Sequence, residues 1–185
     1  MRKLMVFNNI SLDGYFTDGN GDMSWAHNQD AEWTQFSSDN ASSGSSELLF
    51  GRVTYEMMAS FWPTPQAQAA LPAVAEVMNS RPKLVFSRTL KKADWENTRI
   101  VDADAVSEVR KLKGLAGPDM VVMGSGSIVA QLSEARLVDS YQLVLHPLII
   151  GSGRTLFEGV AHKLELKLDK TRAFQNGNLV LWYQR

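Results

Sequence analysis

Three short polar clusters of glycine, hydroxyl and arginine side chains each follow a run that reads as a buried strand. Gly51-Arg52-Val53-Thr54 comes after Glu47-Leu48-Leu49-Phe50, Ser87-Arg88-Thr89 after Lys83-Leu84-Val85-Phe86, and Gly124-Ser125-Gly126-Ser127 after Met120-Val121-Val122-Met123. Short, continuous apolar runs are expected of strands covered on both faces, as in parallel sheets. Ligands of open α/β sheets bind beyond the carboxyl ends of the strands. Three polar clusters at three such ends therefore point to one extended, anionic ligand, and a dinucleotide with an additional phosphate fits.

The chain has 185 residues, enough for one α/β domain spanning 1–185 that buries roughly 70% of its unfolded surface. With a formal net charge of −1, it has no bulk positive field to draw nucleic acid or an acidic membrane. It contains no cysteine, which excludes disulfides, thiolate catalysis and cysteine-ligated metal centres. The first residues lack the apolar core of a signal peptide, because Asn8 and Asn9 interrupt them after four apolar residues. No segment approaches the ~20 apolar residues that span a bilayer, so a cytoplasmic location is expected.

Along the chain, residues 4–7 read as a first buried strand. A turn-rich loop follows, marked by Asp13-Gly14 and by residues 18–22. Trp33, Phe36 and Asn40 at helical spacing predict a helix over about residues 30–42. A short helix is expected from near Thr54 to before Pro63, and an amphipathic one carrying Leu71, Val74 and Met78. Asp102 or Asp104 caps a helix with Val106, Val109 and Leu112 that ends at Gly114. Ile128, Leu132 and Ala135 form another helical stripe, and residues 140–146 alternate as a strand. Leu164, Leu166 and Leu168 alternate with polar residues, and an Asn176-Gly177-Asn178 turn leads into Leu179-Val180-Leu181-Trp182-Tyr183, so the two runs form a hairpin. The sum is an α/β fold: a mostly parallel central sheet finished by antiparallel C-terminal strands.

The glycine cluster at 124–127 opens a helix, where free backbone N–H groups meet phosphate and glycine permits close approach. It matches neither the Rossmann spacing, since position 129 is valine, nor the lysine-bearing P-loop. Arg52 and Arg88 carry more information. Each follows an apolar strand and has hydroxyls beside it, and the guanidinium fork matches a phosphate. A site reading an unmodified ribose more commonly places an acidic residue there, so the arginines favour a 2′-phosphorylated nucleotide.

In this order the clusters resemble the dihydrofolate reductase superfamily. They are most similar to the reductase domain of the bifunctional riboflavin-pathway deaminase–reductase and its stand-alone relatives. The likeness spans nearly the whole chain. It takes in Ile10-Ser11-Leu12-Asp13-Gly14, Gly51 to Glu56, Lys83 to Leu90, Gly124 to Leu132, Leu137 to Tyr141, His146 to Gly153, and Leu156-Phe157. It implies a three-layer dihydrofolate reductase-like fold and NADPH as cofactor. Gly51, Arg52 and Thr54 would lie along its phosphates, Ser87, Arg88 and Thr89 at the adenosine 2′-phosphate, and Gly124, Ser125, Gly126, Ser127 and Ile128 around the pyrophosphate. Dihydrofolate reductases join two glycines by a cis peptide at this last turn; here the pair is Gly124-Ser125.

The resemblance also implies a substrate side. Trp25 and Asp30 share the tryptophan-to-acid spacing of dihydrofolate reductases, where the acid anchors a pteridine and assists its protonation. Asp30 is the catalytic candidate, although an aspartate at a helix start is also an ordinary N-cap. Trp25 and Arg81 are candidate substrate contacts. Asp13 belongs to the turn after the first strand. Residues 18–22 imitate the start of a calcium loop, but Met23 stands where such a loop needs glycine. The three histidines show no metal-ligand spacing, so no metal site is expected, and His146 reads as a satisfied core histidine. Relatives are often homodimers, which is the expectation here. The leading activity is NADPH-dependent reduction of a ribosylaminopyrimidine as in riboflavin synthesis. The alternatives are pteridine reduction and a non-catalytic NADPH-binding module.

Overall fold

The computed structural model describes residues 1–27 and 30–185. Its sheet begins with β1 (Leu4–Ser11), followed by the short β2 (Tyr15–Thr17) and helix α1 (Ala31–Ser42). Asp30 caps α1, its side chain accepting the Trp33 N–H at 2.8 Å, as a short acidic residue at that position does. Next come β3 (Ser46–Gly51), α2 (Arg52–Phe61), α3 (Pro65–Ala70), α4 (Pro72–Ser80), β4 (Lys83–Phe86) and β5 (Thr98–Val101). The second half supplies α5 (Ala105–Gly114), β6 (Asp119–Met123), α6 (Gly126–Glu134), β7 (Ser140–His146), β8 (Arg154–Thr155), β9 (Lys167–Ala173) and β10 (Leu179–Gln184).

Eight strands form the main sheet in the order β5-β4-β3-β6-β1-β7-β10-β9. The first six run parallel, and β10 and β9 continue antiparallel from the β7 edge. From β1 the chain travels through β3, β4 and β5 toward one edge, then returns to β6 and passes beyond β1 to β7. Crossovers between parallel strands are right-handed. This reversal of direction therefore places α1 to α4 on one face and α5 and α6 on the other. The packing agrees: Leu4, Val6, Met120 and Val122 meet Val109 and Leu112 of α5 and Val129 and Leu132 of α6. On the opposite face Phe50 and Val85 pack with Tyr55 of α2 and Met78 of α4, while Val144 and Val180 pack with Trp33 and Phe36 of α1. The reversal falls between β3 and β6, which are neighbours.

Several sequence expectations are corrected in detail. Helix α2 starts at Arg52 rather than near Thr54, because Gly51 with extended dihedrals takes the cap position. Asp104, not Asp102, caps α5, accepting the Ser107 N–H at 2.8 Å. Leu164 and Leu166 precede the hairpin, whose first strand begins at Lys167 because the six-residue β10 pairs only with residues 167–173. The loop after β1 contains a strand, β2, which pairs with β8 in a separate two-stranded sheet. The imitation calcium loop is closed by its own turn, with Asp18 accepting the N–H groups of Asn20 and Asp22, both at 2.8 Å. No helix among the described residues is long and apolar enough to cross a membrane.

Candidate active site

At the β3–β6 reversal, the first and third polar clusters come into direct contact. Ser125 Oγ accepts the Gly51 N–H at 2.7 Å, and its own hydroxyl hydrogen goes to Thr54 Oγ1 at 2.8 Å. The fit is close on both sides. A Cβ on Gly51 would stand 2.8 Å from Ser125 Oγ, and one on Gly124 would stand 2.9 Å from Thr54 Cγ2. Gly124 and Ser125 both have positive φ, +68° and +61°, and their peptide bond is trans. Glycine adopts that conformation freely, whereas serine there carries backbone strain.

The consequence is that α2 and α6 begin side by side at adjacent strand ends, one running along each face of the sheet. Both N-termini present unpaired first-turn amides and the positive end of a helix dipole. Such a pair of glycine-lined turns suits the phosphates of a nucleotide. The residues present fit a nucleotide's phosphates: the Thr54 hydroxyl and the first amides of α2 stand on one side, and the Gly126 and Ser127 amides that begin α6 on the other, while the Gly51 and Ile128 N–H groups are used within the turns.

The second cluster lies one strand further out, at the end of β4. Ser87 Oγ accepts the Leu90 N–H at 2.9 Å and the Thr89 N–H at 3.2 Å, closing a tight turn that leaves Arg88 and Thr89 exposed. Arg88 lies within electrostatic reach of Asp104. Arg52, at the first position of α2, rests on Glu56 at 2.8 Å in a half-exposed pair. Pairs of that kind contribute about 0–1 kcal/mol, so Arg52 is free to change partner.

The substrate-side candidates separate. Asp30 lies at the carboxyl end of the sheet because α1 runs antiparallel to β1. One oxygen takes the Trp33 N–H and the other the Asn176 amide at 2.7 Å. These donors, the Trp33 N–H foremost, hold the carboxyl below the usual carboxylate range. Trp25, in a turn of 3-10 helix, sets its ring edge-on to His146 at 5.2 Å between centroids. Arg81 is elsewhere. It precedes β4, so it sits at the amino end of the sheet, where it donates to the carbonyls of Ala41 in the last turn of α1 and Gly44 just beyond it, both at 2.6 Å. The structure does not bring it to the other candidates.

Further residues join the site, of which only Asp13 was singled out in the sequence. Asn8 is 4% exposed and its Nδ2 has no hydrogen-bond partner among the described residues. In the register that pairs Phe7 with Met123 it lies level with Gly124, on the face covered by α6. Arg154 stands over the Phe16 ring at 5.7 Å, and Phe16 abuts the start of α6, where a Cβ on Gly126 would come within 2.6 Å of its ring. Asp13 accepts from Ser11 Oγ at 2.6 Å and from the Gly151 N–H at 2.8 Å, tying the β1–β2 turn to the loop after β7. The sequence signals for these residues are the Asn8-Asn9 pair, which breaks the apolar run of β1, and the Asp13-Gly14 turn.

The RibD C-terminal domain family matches residues 2–180. The uncharacterized protein YyaP of Bacillus subtilis is 28% identical over 183 residues, covering 98% of this chain and 94% of that protein. The uncharacterized protein YwjB of the same organism is 22% identical over 173 residues, covering 94% and 92%. Among solved structures, a putative riboflavin biosynthesis protein from Shewanella sp. PV-4 superposes with a TM-score of 0.74 at 22% identity, covering 99% of this chain and 98% of that one. A Thermotoga maritima diaminohydroxyphosphoribosylaminopyrimidine deaminase/5-amino-6-(5-phosphoribosylamino)uracil reductase gives 0.69 at 15% identity, over 99% of this chain and 56% of that one. With its glycine turns at the sheet reversal and a family match from end to end, this chain belongs to the RibD C-terminal domain family.

Proposed function

We propose that the protein is an NADPH-dependent reductase of a small heterocycle, of the kind that acts in riboflavin biosynthesis. The observation that carries this reading is the Ser125 link, which joins the N-termini of α2 and α6 into one cradle of backbone donors. An anion held there is bound without bringing new cations into the cleft. Gly51, Thr54 and the turn at 124–128 would hold the pyrophosphate, and the exposed Arg88, next to Ser87 and Thr89, the 2′-phosphate. The nicotinamide supplies a hydride when bound.

The chain's own residues account for the rest. Asp30, ionised and fixed by Trp33 and Asn176, anchors a ring nitrogen and favours its protonated form, with the proton arriving through water. Trp25 closes one side of the ring. A second reading, a nucleotide-binding module without turnover, is favoured by one observation: both Asp30 oxygens already have donors.

Fluorescence titration with NADPH and with NADH, followed by a screen for NADPH oxidation with pyrimidine and pteridine substrates, separates these readings. The reductase reading expects tighter binding of NADPH and turnover with at least one ring. Binding without turnover favours the module, and absence of NADPH binding overturns both.

A further inference from the structure

Beyond the end of β6, β1 and β7 continue side by side. The β1–β6 pairing stops at Phe7 and Met123, whereas the β1–β7 pairing runs on to Ser11 and His146. On the α1 face of this extension His146 is 2% exposed, with Nε2 2.9 Å from Asn9 Oδ1. Because Oδ1 only accepts, Nε2 carries the hydrogen and Nδ1 of the neutral ring is an acceptor. Burial pushes the imidazole down to about 4, so it is neutral at ordinary pH. Trp25 and Trp33 stand edge-on to it at 5.2 and 6.3 Å.

Two buried donors in this cluster have no partner among the described residues: Trp25 Nε1 and Asn178 Nδ2. Asn178 is 1% exposed, and in the register that pairs Leu179 with Leu145 it falls opposite His146. Each unpaired buried donor costs about 1–3 kcal/mol. Packing gives no reason to place them together, since phenylalanine and leucine would fill the same space. Asp30, close by in the fold, reaches this turn only through Asn176, and its oxygens accept from Trp33 and Asn176 rather than from either of these donors.

We propose that Asn178, Trp25 Nε1 and the Asn9–His146 pair are specificity residues that read the hydrogen-bonding edge of an uncharged, planar substrate ring. The two free donors take ring carbonyl oxygens, and the imidazole nitrogen takes a ring N–H. This rests on the reductase reading, which sets a substrate ring against Asp30 and Trp25. It adds that recognition runs through β7 and the β9–β10 turn, not only through α1.

The test uses lumazine, a fluorescent ring with two carbonyls, titrated into the wild-type protein and into Trp25→Phe and Asn178→Leu. NADPH affinity and thermal unfolding are measured alongside. The expected result is lumazine binding weakened about fivefold to tenfold in each variant, the scale of one lost hydrogen bond. NADPH affinity stays within twofold and the unfolding temperature is unchanged or raised, because a costly unpaired donor has gone. Equal lumazine affinity in all three proteins, or none in the wild type, overturns the proposal. So do variants that lose lumazine only in step with a fall in unfolding temperature. Failure of NADPH to bind while lumazine still distinguishes the variants would instead sink the cofactor reading and leave this one standing.

Discussion

Replacing Ser125 by alanine removes both hydrogen bonds that tie the two glycine turns together, while leaving the strained backbone as it is. The Gly51 N–H at 2.7 Å and the Thr54 hydroxyl at 2.8 Å each lose their partner in a partly buried setting. A hydrogen bond of this kind contributes about 1 kcal/mol net, so the pair is worth about 2 kcal/mol at most. In a chain of 185 residues, that lowers the unfolding temperature by about 4–6 °C. Replacing Ser125 by glycine loses the same two bonds but releases the cost of holding φ at +61°, roughly 1–2 kcal/mol for a residue with a Cβ. Glycine returns part of that as unfolded-state entropy, about 0.5–1 kcal/mol. Ser125→Gly should therefore unfold roughly 2–3 °C above Ser125→Ala and slightly below the wild type. Both variants should bind NADPH more weakly than the wild type, because the turns are no longer linked. The assay is thermal unfolding by circular dichroism with a nucleotide titration. An alanine variant as stable as the wild type, or more stable than the glycine variant, would refute the reasoning.

Arg88→Ala should lose the preference for NADPH over NADH with little change in NADH affinity; parallel fluorescence titrations check this, and an unchanged preference removes the 2′-phosphate argument. Asp30→Asn should slow turnover at least tenfold while NADPH affinity stays constant, and since asparagine caps a helix as well as aspartate, stability should move by less than about 1 kcal/mol. Steady-state rates that do not fall would show that Asp30 only starts α1. His146 has a folded-state pKa of about 4 against 6.5 unfolded, so the unfolded chain binds the extra proton first and stability is lost as pH falls from 6.5 toward 4. The gap of about 2.5 pKa units corresponds to about 3 kcal/mol. Urea unfolding at pH 7, 5.5 and 4.5 should show that loss in the wild type and not in His146→Gln; parallel losses in both would place the proton elsewhere.

The fold was legible where physics is local. The apolar runs of β3, β4 and β6 announce a parallel sheet because strands covered on both faces have no solvent side to mark. The same runs placed the three polar clusters, since a cluster after a parallel strand falls at the carboxyl end. That rule also locates Arg81: an arginine ahead of a strand lies at the opposite end, where it caps the chain after α1. What could not be read depends on register between distant segments. Nothing near His146 in the chain reveals Asn9, Trp25 or Asn178; the two asparagines reach it only through the pairing of β7 with β1 and β10, and Trp25 only through a ring contact from the loop after β2. The β2–β8 sheet rests on two residue pairs, too few to leave a periodic signature. Ser125 is the instructive case. Its place in a glycine cluster was plain from the sequence, but its role as the link between two strand ends rests on a contact across 74 positions.

The most direct measurement is a crystal structure of the protein with NADPH. The account predicts the pyrophosphate between the amides that begin α2 and α6, with the 2′-phosphate beside Arg88 and Arg52 turned from Glu56 toward the nucleotide. A nucleotide bound elsewhere, with the Ser125 turn empty and Arg88 directed into solvent, would contradict it.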